Sequence, residues 1–338
     1  MRQRIDAART FLLQAQQPDG GWPYRMNGQP SPEPTCYSLL ALMATNHERM
    51  HKPTLLQQRL GRGMGWLLAR RNADGALTLL GDNEPHWSTA LFVVTALRLQ
   101  SAPRTLFEGN LKPSSREIRN PKSEIQNVSD LGFRASDFPA GAQGLLHQQS
   151  VQWLLSWYGN TSPPREVVTL NGQLRGWPWI SDTFSWVEPT SYAVLALKLA
   201  GYRTHWRVRE AEELLLDRAC EAGGWNYGNR IVLGRGLMPF PVPTAMAVLA
   251  LQDAPSARQR VEQALAFLQR EVSQHPSTLS LALSIHCFHI FNWPMQEFVN
   301  RLAQRQSADG SWRQSVHLTA LATLALQCAT GGFNAFKL

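Results

Sequence analysis

Cysteine is scarce in this chain, and the few residues are scattered. Cys36, Cys220, Cys287 and Cys328 form no Cys-x-x-Cys pair. That argues against a disulfide framework and suits reduced, buried thiols in a cytoplasmic protein. Long apolar runs are missing too. No stretch of about 18 apolar residues occurs, so no transmembrane helix is expected. The strongest run, ALFVVTALRL from Ala90 to Leu99, is short and interrupted by Arg98. The opening segment MRQRIDAARTFLLQAQQ holds only a brief apolar stretch broken by glutamines, so it does not read as a signal peptide. Dense Lys/Arg runs and nucleic-acid motifs are absent. The formal net charge of +8 therefore reads as a mildly basic surface, with no nucleic-acid partner expected. Loose peripheral contact with an acidic membrane stays open. Charged residues make up only 17% against 43% hydrophobic, a balance that suits many buried helices. A length of 338 residues allows one large domain or two.

What the chain does have is repetition. A unit recurs at about 5–46, 57–101, 145–201, 206–253, 257–291 and 296–330. Each opens with an amphipathic helix, passes a turn that in most copies is rich in Gly and Trp, and ends in a more apolar helix. First helices such as VREAEELLLDRA have one apolar stripe and a charged face, so they belong on the outside. Second helices such as SYAVLALKLA and TAMAVLALQ are apolar nearly all round and belong in the interior. Two concentric layers follow. The expected fold is all-α, an (α/α)6 toroid in one domain, with an open solenoid of helix pairs as the structural competitor. Pro34, Pro189 and Pro243 each precede a Thr where a second helix begins. Proline suits a first helical turn because its missing N–H is not needed there. Residues 102–142 break the pattern with a tandem echo, SREIRNP then KSEIQNV. They read as a low-complexity insert forming a disordered surface loop.

Candidate chemistry lies where the inner helices begin. Glu33, His86, Glu188, His275 and His317 occupy this place in five repeats, and Val242 in the fourth. In a closed barrel such positions converge on one mouth. Glu33, His86, Glu188 and His317 are the candidate catalytic set, able to act as acid and base or to bind a metal. The alternative is that each merely complements its helix N-terminus. This suits the carboxylates better than the imidazoles. Aromatics crowd the loops leading in. Trp87, Trp179, Trp186 and Tyr227 are candidate substrate-binding residues, since aromatic faces suit an isoprenoid and stabilise a carbocation. The loop from Gly228 to Pro241 carries Arg230 and Arg235 among glycines. It could form a lid or meet a pyrophosphate through guanidinium forks.

One motif marks the unit. Gln16-x-x-Asp19-Gly20-Gly21-Trp22 is matched by Gln306-x-x-Asp309-Gly310-Ser311-Trp312, with partial copies at Asp74-Gly75 and Gly223-Gly224-Trp225. Asp-Gly is turn chemistry, and the Trp can pack back on its helix. These residues are expected to be structural rather than catalytic. The pattern resembles the QW motif of squalene–hopene and oxidosqualene cyclases, whose wider relatives include protein prenyltransferase β subunits and complement-like thioester domains. The resemblance implies the toroid. It also implies a prenyltransferase- or terpene-cyclase-like protein that holds an isoprenoid or other apolar substrate in a central cavity. The acid motif Asp-x-Asp-Asp of the cyclases is absent, as is the thioester Cys-Gly-x-Gln, so the reaction type stays open. The prenyltransferase zinc ligands suggest Cys36 and His317, with Glu33 as the carboxylate because Pro34 stands where that family has Asp. A divalent metal such as zinc is therefore a possible cofactor. The competing readings are a non-catalytic toroid scaffold or binding module, and a carbohydrate-active α/α barrel using Glu33 and Glu188.

Overall fold

A computed structural model describes residues 1–45, 55–101, 147–163 and 170–338. The insert expected over 102–142 lies outside these residues. The described chain is a succession of helix pairs: α1 (Arg2–Ala15) and α2 (Pro32–Ala44), α3 (Leu55–Leu68) and α4 (Ser88–Ser101), α5 (Gln148–Ser156) and α6 (Val187–Leu199). Then follow α7 (Trp206–Asp217) and α8 (Pro241–Ala250), α9 (Arg258–Gln274) and α10 (Thr278–Ile290), α11 (Gln296–Gln304) and α12 (Val316–Ala329). A short hairpin of β1 (Ile231–Val232) and β2 (Arg235–Gly236) precedes α8. The second helices α2, α4, α6, α8, α10 and α12 pack each on the next, and α12 returns to α2. The ring is closed, which excludes the open solenoid. The first helices pack against this ring from outside. Composition decides the layer. In α8 every residue from Pro243 to Ala250 is buried, whereas α9 buries one stripe and exposes its charged face. All four cysteines are buried and unpaired. No described helix is long and apolar enough to cross a membrane.

A repeated clamp joins the layers. Trp22, Trp177, Trp225 and Trp312 are fully buried. Each indole donates to a carbonyl of its own outer helix: Trp22 to Leu12 at 2.7 Å, Trp177 to Leu154 at 3.0 Å, Trp225 to Leu215 at 2.6 Å and Trp312 to Leu302 at 2.8 Å. Each Trp backbone N–H donates to a threonine of the inner helix that follows. The acceptors are Thr35, Thr190 and Thr244 at 2.9 Å and Thr319 at 3.0 Å. In the second repeat Leu77 takes the Trp position and donates to Thr89 at 2.8 Å.

The glutamines of the motif reach the neighbouring repeat. Gln16 donates to Gly20 O and to Arg59 O of α3, both at 2.8 Å. Gln306 donates to Gly310 O at 2.9 Å and to Arg4 O of α1 at 2.7 Å, across the seam that closes the ring. Asp19 accepts from Gly21 N at 3.1 Å and from the Trp66 indole at 2.9 Å, and Asp309 from Ser311 N at 2.9 Å. Both carboxylates are thus occupied in turns. Gly310 has φ +84°, and a Cβ there would lie 2.5 Å from Ala7 O. Only glycine lets the last turn sit this close to the first helix.

The toroid axis is not an open tube. Phe336, in the segment after α12, is fully buried. Its ring lies 4.8 Å from that of His286 and 6.5 Å from that of Tyr37. Arg98 donates to Ala335 O and Gln252 to Phe336 O, both at 2.8 Å, and the Asn334 amide meets His286 at 3.2 Å. The end of the barrel where the inner helices finish is therefore filled by the chain itself. Where a central cavity is expected, aromatic side chains occupy the axis beneath the opposite mouth, with Tyr37 of α2 meeting Tyr192 of α6 and Trp87 packed on Tyr192.

Candidate active site

The threonine clamps fix which residues are equivalent at that mouth. Glu33, Trp87, Glu188, Val242 and His317 each stand two residues before a clamping threonine. In α10 the cap is Ser277, bonded reciprocally with Ser280, and Leu279 takes the same second helical position. Trp87, not His86, is thus the counterpart of Glu33. His86 sits one residue further out, with Nδ1 2.8 Å from the Ser88 hydroxyl. His275 does not join the mouth. Its ring pairs at 3.0 Å with Glu271 on α9, and its side chain is 73% exposed.

Glu33 is the centre of the site. The Tyr24 hydroxyl donates to its Oε2. Its Oε1 lies 3.3 Å from His317 Nε2, and both side chains are only 15% exposed. The His317 ring is held between Tyr24, edge-on at 5.5 Å, and Tyr37 at 5.3 Å. Burial alone would raise the Glu33 carboxyl. Its contacts with His317 and Tyr24 outweigh that, and it is held below the ordinary carboxylate value. The Tyr24 hydroxyl is pushed up by burial and by the charge of Glu33.

Glu188 behaves in the opposite way. Burial first, and the charge of Glu33 second, raise its carboxyl from 4.5 to about 7. His86 is lowered by burial to about 4, so it is neutral at physiological pH. Beneath these groups the Tyr37 and Tyr192 hydroxyls meet at 2.5 Å, and burial raises both well above 10. Trp87 packs at 5.0 Å on Tyr192 and at 5.1 Å on Trp179. Trp186 and Tyr227 form a half-exposed rim, with Tyr227 5.6 Å from Phe240. The mouth therefore brings together an aromatic wall, one ionised carboxylate and one carboxyl that is protonated up to about neutral pH. Two groups of one chemical type with opposed proton affinities divide naturally into an acid and a base.

Other candidates sit elsewhere. Arg235 is exposed on the β hairpin. The charge of Arg230 acts on Arg218 and Cys220 at the end of the outer helix α7, while the charge that acts on Glu188 is that of Glu33. The proposed zinc set is not assembled. Cys36 is fully buried, its thiol bonded to Thr95 of α4 and pushed up by burial. Among the described residues no group of three or more His, Cys, Asp or Glu is arranged to hold a metal. Tyr24, Tyr37 and Tyr192 were not singled out by sequence. For the last two a signal existed, since Glu-Pro-Thr-x-Tyr recurs at Glu33–Tyr37 and Glu188–Tyr192, and that spacing puts Glu and Tyr on one helix face.

Fold and layering define an α/α toroid, and solved structures share it. No family model matches the chain, and no curated protein matches it by sequence. The type II terpene cyclase MstE from Scytonema, in its apo form, superposes with a TM-score of 0.61 at 14% identity, covering 97% of each chain. A variant of MstE in complex with geranylgeranyl dihydroxybenzoate, its substrate, gives 0.59 at 15% identity, again covering 97% of each chain. The α-1,6-mannanase GH76A of a Salegentibacter species gives 0.61 at 11% identity over 98% of both chains. At these identities the likeness is one of fold, and a terpene cyclase and a mannanase on one scaffold leave function to the site.

Proposed function

We propose that the mouth of the toroid binds an isoprenoid or other apolar substrate and carries out proton transfer on it, as a prenyltransferase- or terpene-cyclase-like protein does. Glu188 is the acid and Glu33 the base. Trp87, Trp179, Trp186 and Tyr227 form the apolar wall, and their faces stabilise positive charge that develops on the substrate. The observation that carries this reading is the pair of carboxyls at equivalent helix positions in one aromatic mouth, one held ionised and the other held protonated. The substrate-bound MstE structure supports the substrate class by analogy of fold. Filling of the axis favours the second reading, a toroid that binds without catalysis. The test is turnover of a panel of prenyl alcohols and diphosphates by the purified protein, followed by product mass spectrometry. Wild type is expected to convert one of them, while Glu188→Gln binds it without turnover. Binding with no product at any pH would leave the non-catalytic reading standing.

The apolar substrate has a matching surface. The hairpin beside the rim exposes Leu233 at its tip (87%), together with Met238 and Phe240, and Arg235 stands among them. Peripheral contact with an anionic membrane at this edge accounts for so much exposed apolar surface next to a basic residue.

A further inference from the structure

We propose that the Tyr24 hydroxyl is a placeholder on Glu33, and that the ligand's polar end is a hydroxyl that replaces it. This rests on the reading of the mouth as a substrate site. Oε2 of Glu33 accepts from the Tyr24 hydroxyl, and Oε1 faces His317 Nε2 at 3.3 Å. A carboxylate has about four acceptor sites, so a ligand hydroxyl reaching Oε2 would compete with Tyr24 for the place it holds there. His317 is fixed by its place in α12 and by rings on two sides. Tyr24 is the freer partner. Its backbone is anchored across the seam, its carbonyl accepting from Val316 N at 2.9 Å and from the Ser315 hydroxyl at 3.3 Å. Tyr24, however, is 44% exposed. A side-chain rotation lifts the hydroxyl off Glu33 without disturbing the backbone.

The chemistry of the vacated place selects the ligand. An ionised carboxylate accepts from a hydroxyl and repels an anion. Glu188, which feels the charge of Glu33, adds a second carboxyl to the same mouth. The site therefore takes an apolar molecule ending in an alcohol rather than in a diphosphate.

The test measures binding to the full-length protein by quenching of tryptophan fluorescence and by calorimetry. The probes are geranylgeraniol, geranylgeranyl diphosphate, and benzyl alcohol, which has the hydroxyl but no prenyl chain. Tyr24→Phe keeps the ring against His317 and removes only the competing hydroxyl. It is expected to bind both alcohols about three- to tenfold tighter than wild type, the worth of one hydrogen bond. The double variant carrying Tyr24→Phe and Glu33→Gln is expected to lose that gain, and the diphosphate to bind more weakly than the alcohol throughout. Unchanged or weaker alcohol binding by Tyr24→Phe overturns the inference, as does a gain that survives Glu33→Gln or a preference for the diphosphate. If benzyl alcohol shows the gain and geranylgeraniol does not bind, the placeholder stands and the isoprenoid reading falls. If geranylgeraniol binds equally to wild type and Tyr24→Phe, the isoprenoid reading stands and the placeholder falls.

Discussion

Glu188→Gln should stabilise the protein, and only above mildly acidic pH. The structure raises the folded-state carboxyl from its ordinary 4.5 to about 7, by burial first and by the charge of Glu33 second. The folded chain then holds the Glu188 proton more tightly than the unfolded chain does. Below 4.5 both states are protonated, and Glu188 contributes as a neutral group that glutamine imitates. As pH rises from 4.5 to 7 the unfolded state releases the proton first, and stability falls. At about 1.4 kcal/mol per pH unit, the rise to about 7 is worth about 3 kcal/mol once ionisation is complete. Glutamine has no such term. Urea unfolding of wild type and Glu188→Gln at pH 4.5 and pH 8, followed by circular dichroism, gives the comparison. The two should be nearly equal in stability at the lower pH, with the variant ahead by about 3 kcal/mol at the higher. A gap of the same size at both values would trace the effect to packing and refute the electrostatic argument. A variant less stable at pH 8 would refute it outright.

The remaining predictions concern the seam and the hairpin. Gly310→Ala must place a Cβ 2.5 Å from Ala7 O at φ +84°, whereas Gly331→Ala adopts φ +82° with nothing within 4 Å. The Gly331 change should cost about 1–2 kcal/mol of backbone strain. Gly310→Ala should cost clearly more and melt at lower temperature, and equal melting temperatures would remove the close approach as a cause. Leu233→Asp should leave the melting temperature unchanged and reduce co-sedimentation with phosphatidylglycerol vesicles. Undiminished co-sedimentation would take the hairpin out of membrane contact.

The helix layers were legible because each helix carries its own burial in its composition. The charged face of α9 and the uniform apolarity of α8 need no partner to be read. The register of the mouth was less legible, since it depends on bonds between distant residues. His86 looks equivalent to Glu33 by closeness to a helix start. The bond from Leu77 N to Thr89 puts Trp87 there instead. His275 misleads for the same reason, in the repeat where a serine cap replaces the threonine clamp. Cys36 carries the sequence of a ligand, but its thiol is bonded to a neighbouring inner helix. The pairing of Glu33 with His317 spans almost the whole chain and exists only because the ring closes. Phe336 lies in a tail with no repeat signature, so nothing in its local sequence announces that it fills the axis.

Helix ends alone do not account for the mouth. A carboxylate at the second position of a helix is favoured in its ionised form by the helix dipole, and Glu33 follows that rule. Glu188 occupies the same position in α6, yet its carboxyl is raised, so burial and its like-charged neighbour outweigh the dipole there. A cap would be served as well by a residue that loses nothing on burial, such as the Val242 or Leu279 found in the same ring. The polar members of that ring, Glu33, Glu188 and His317, come from the first, third and sixth repeats, and the apolar Trp87, Val242 and Leu279 from the second, fourth and fifth. Retaining an ionisable group where it costs stability is a sign of use rather than of packing, and this makes Glu188, more than the better-bonded Glu33, the residue on which a catalytic reading depends.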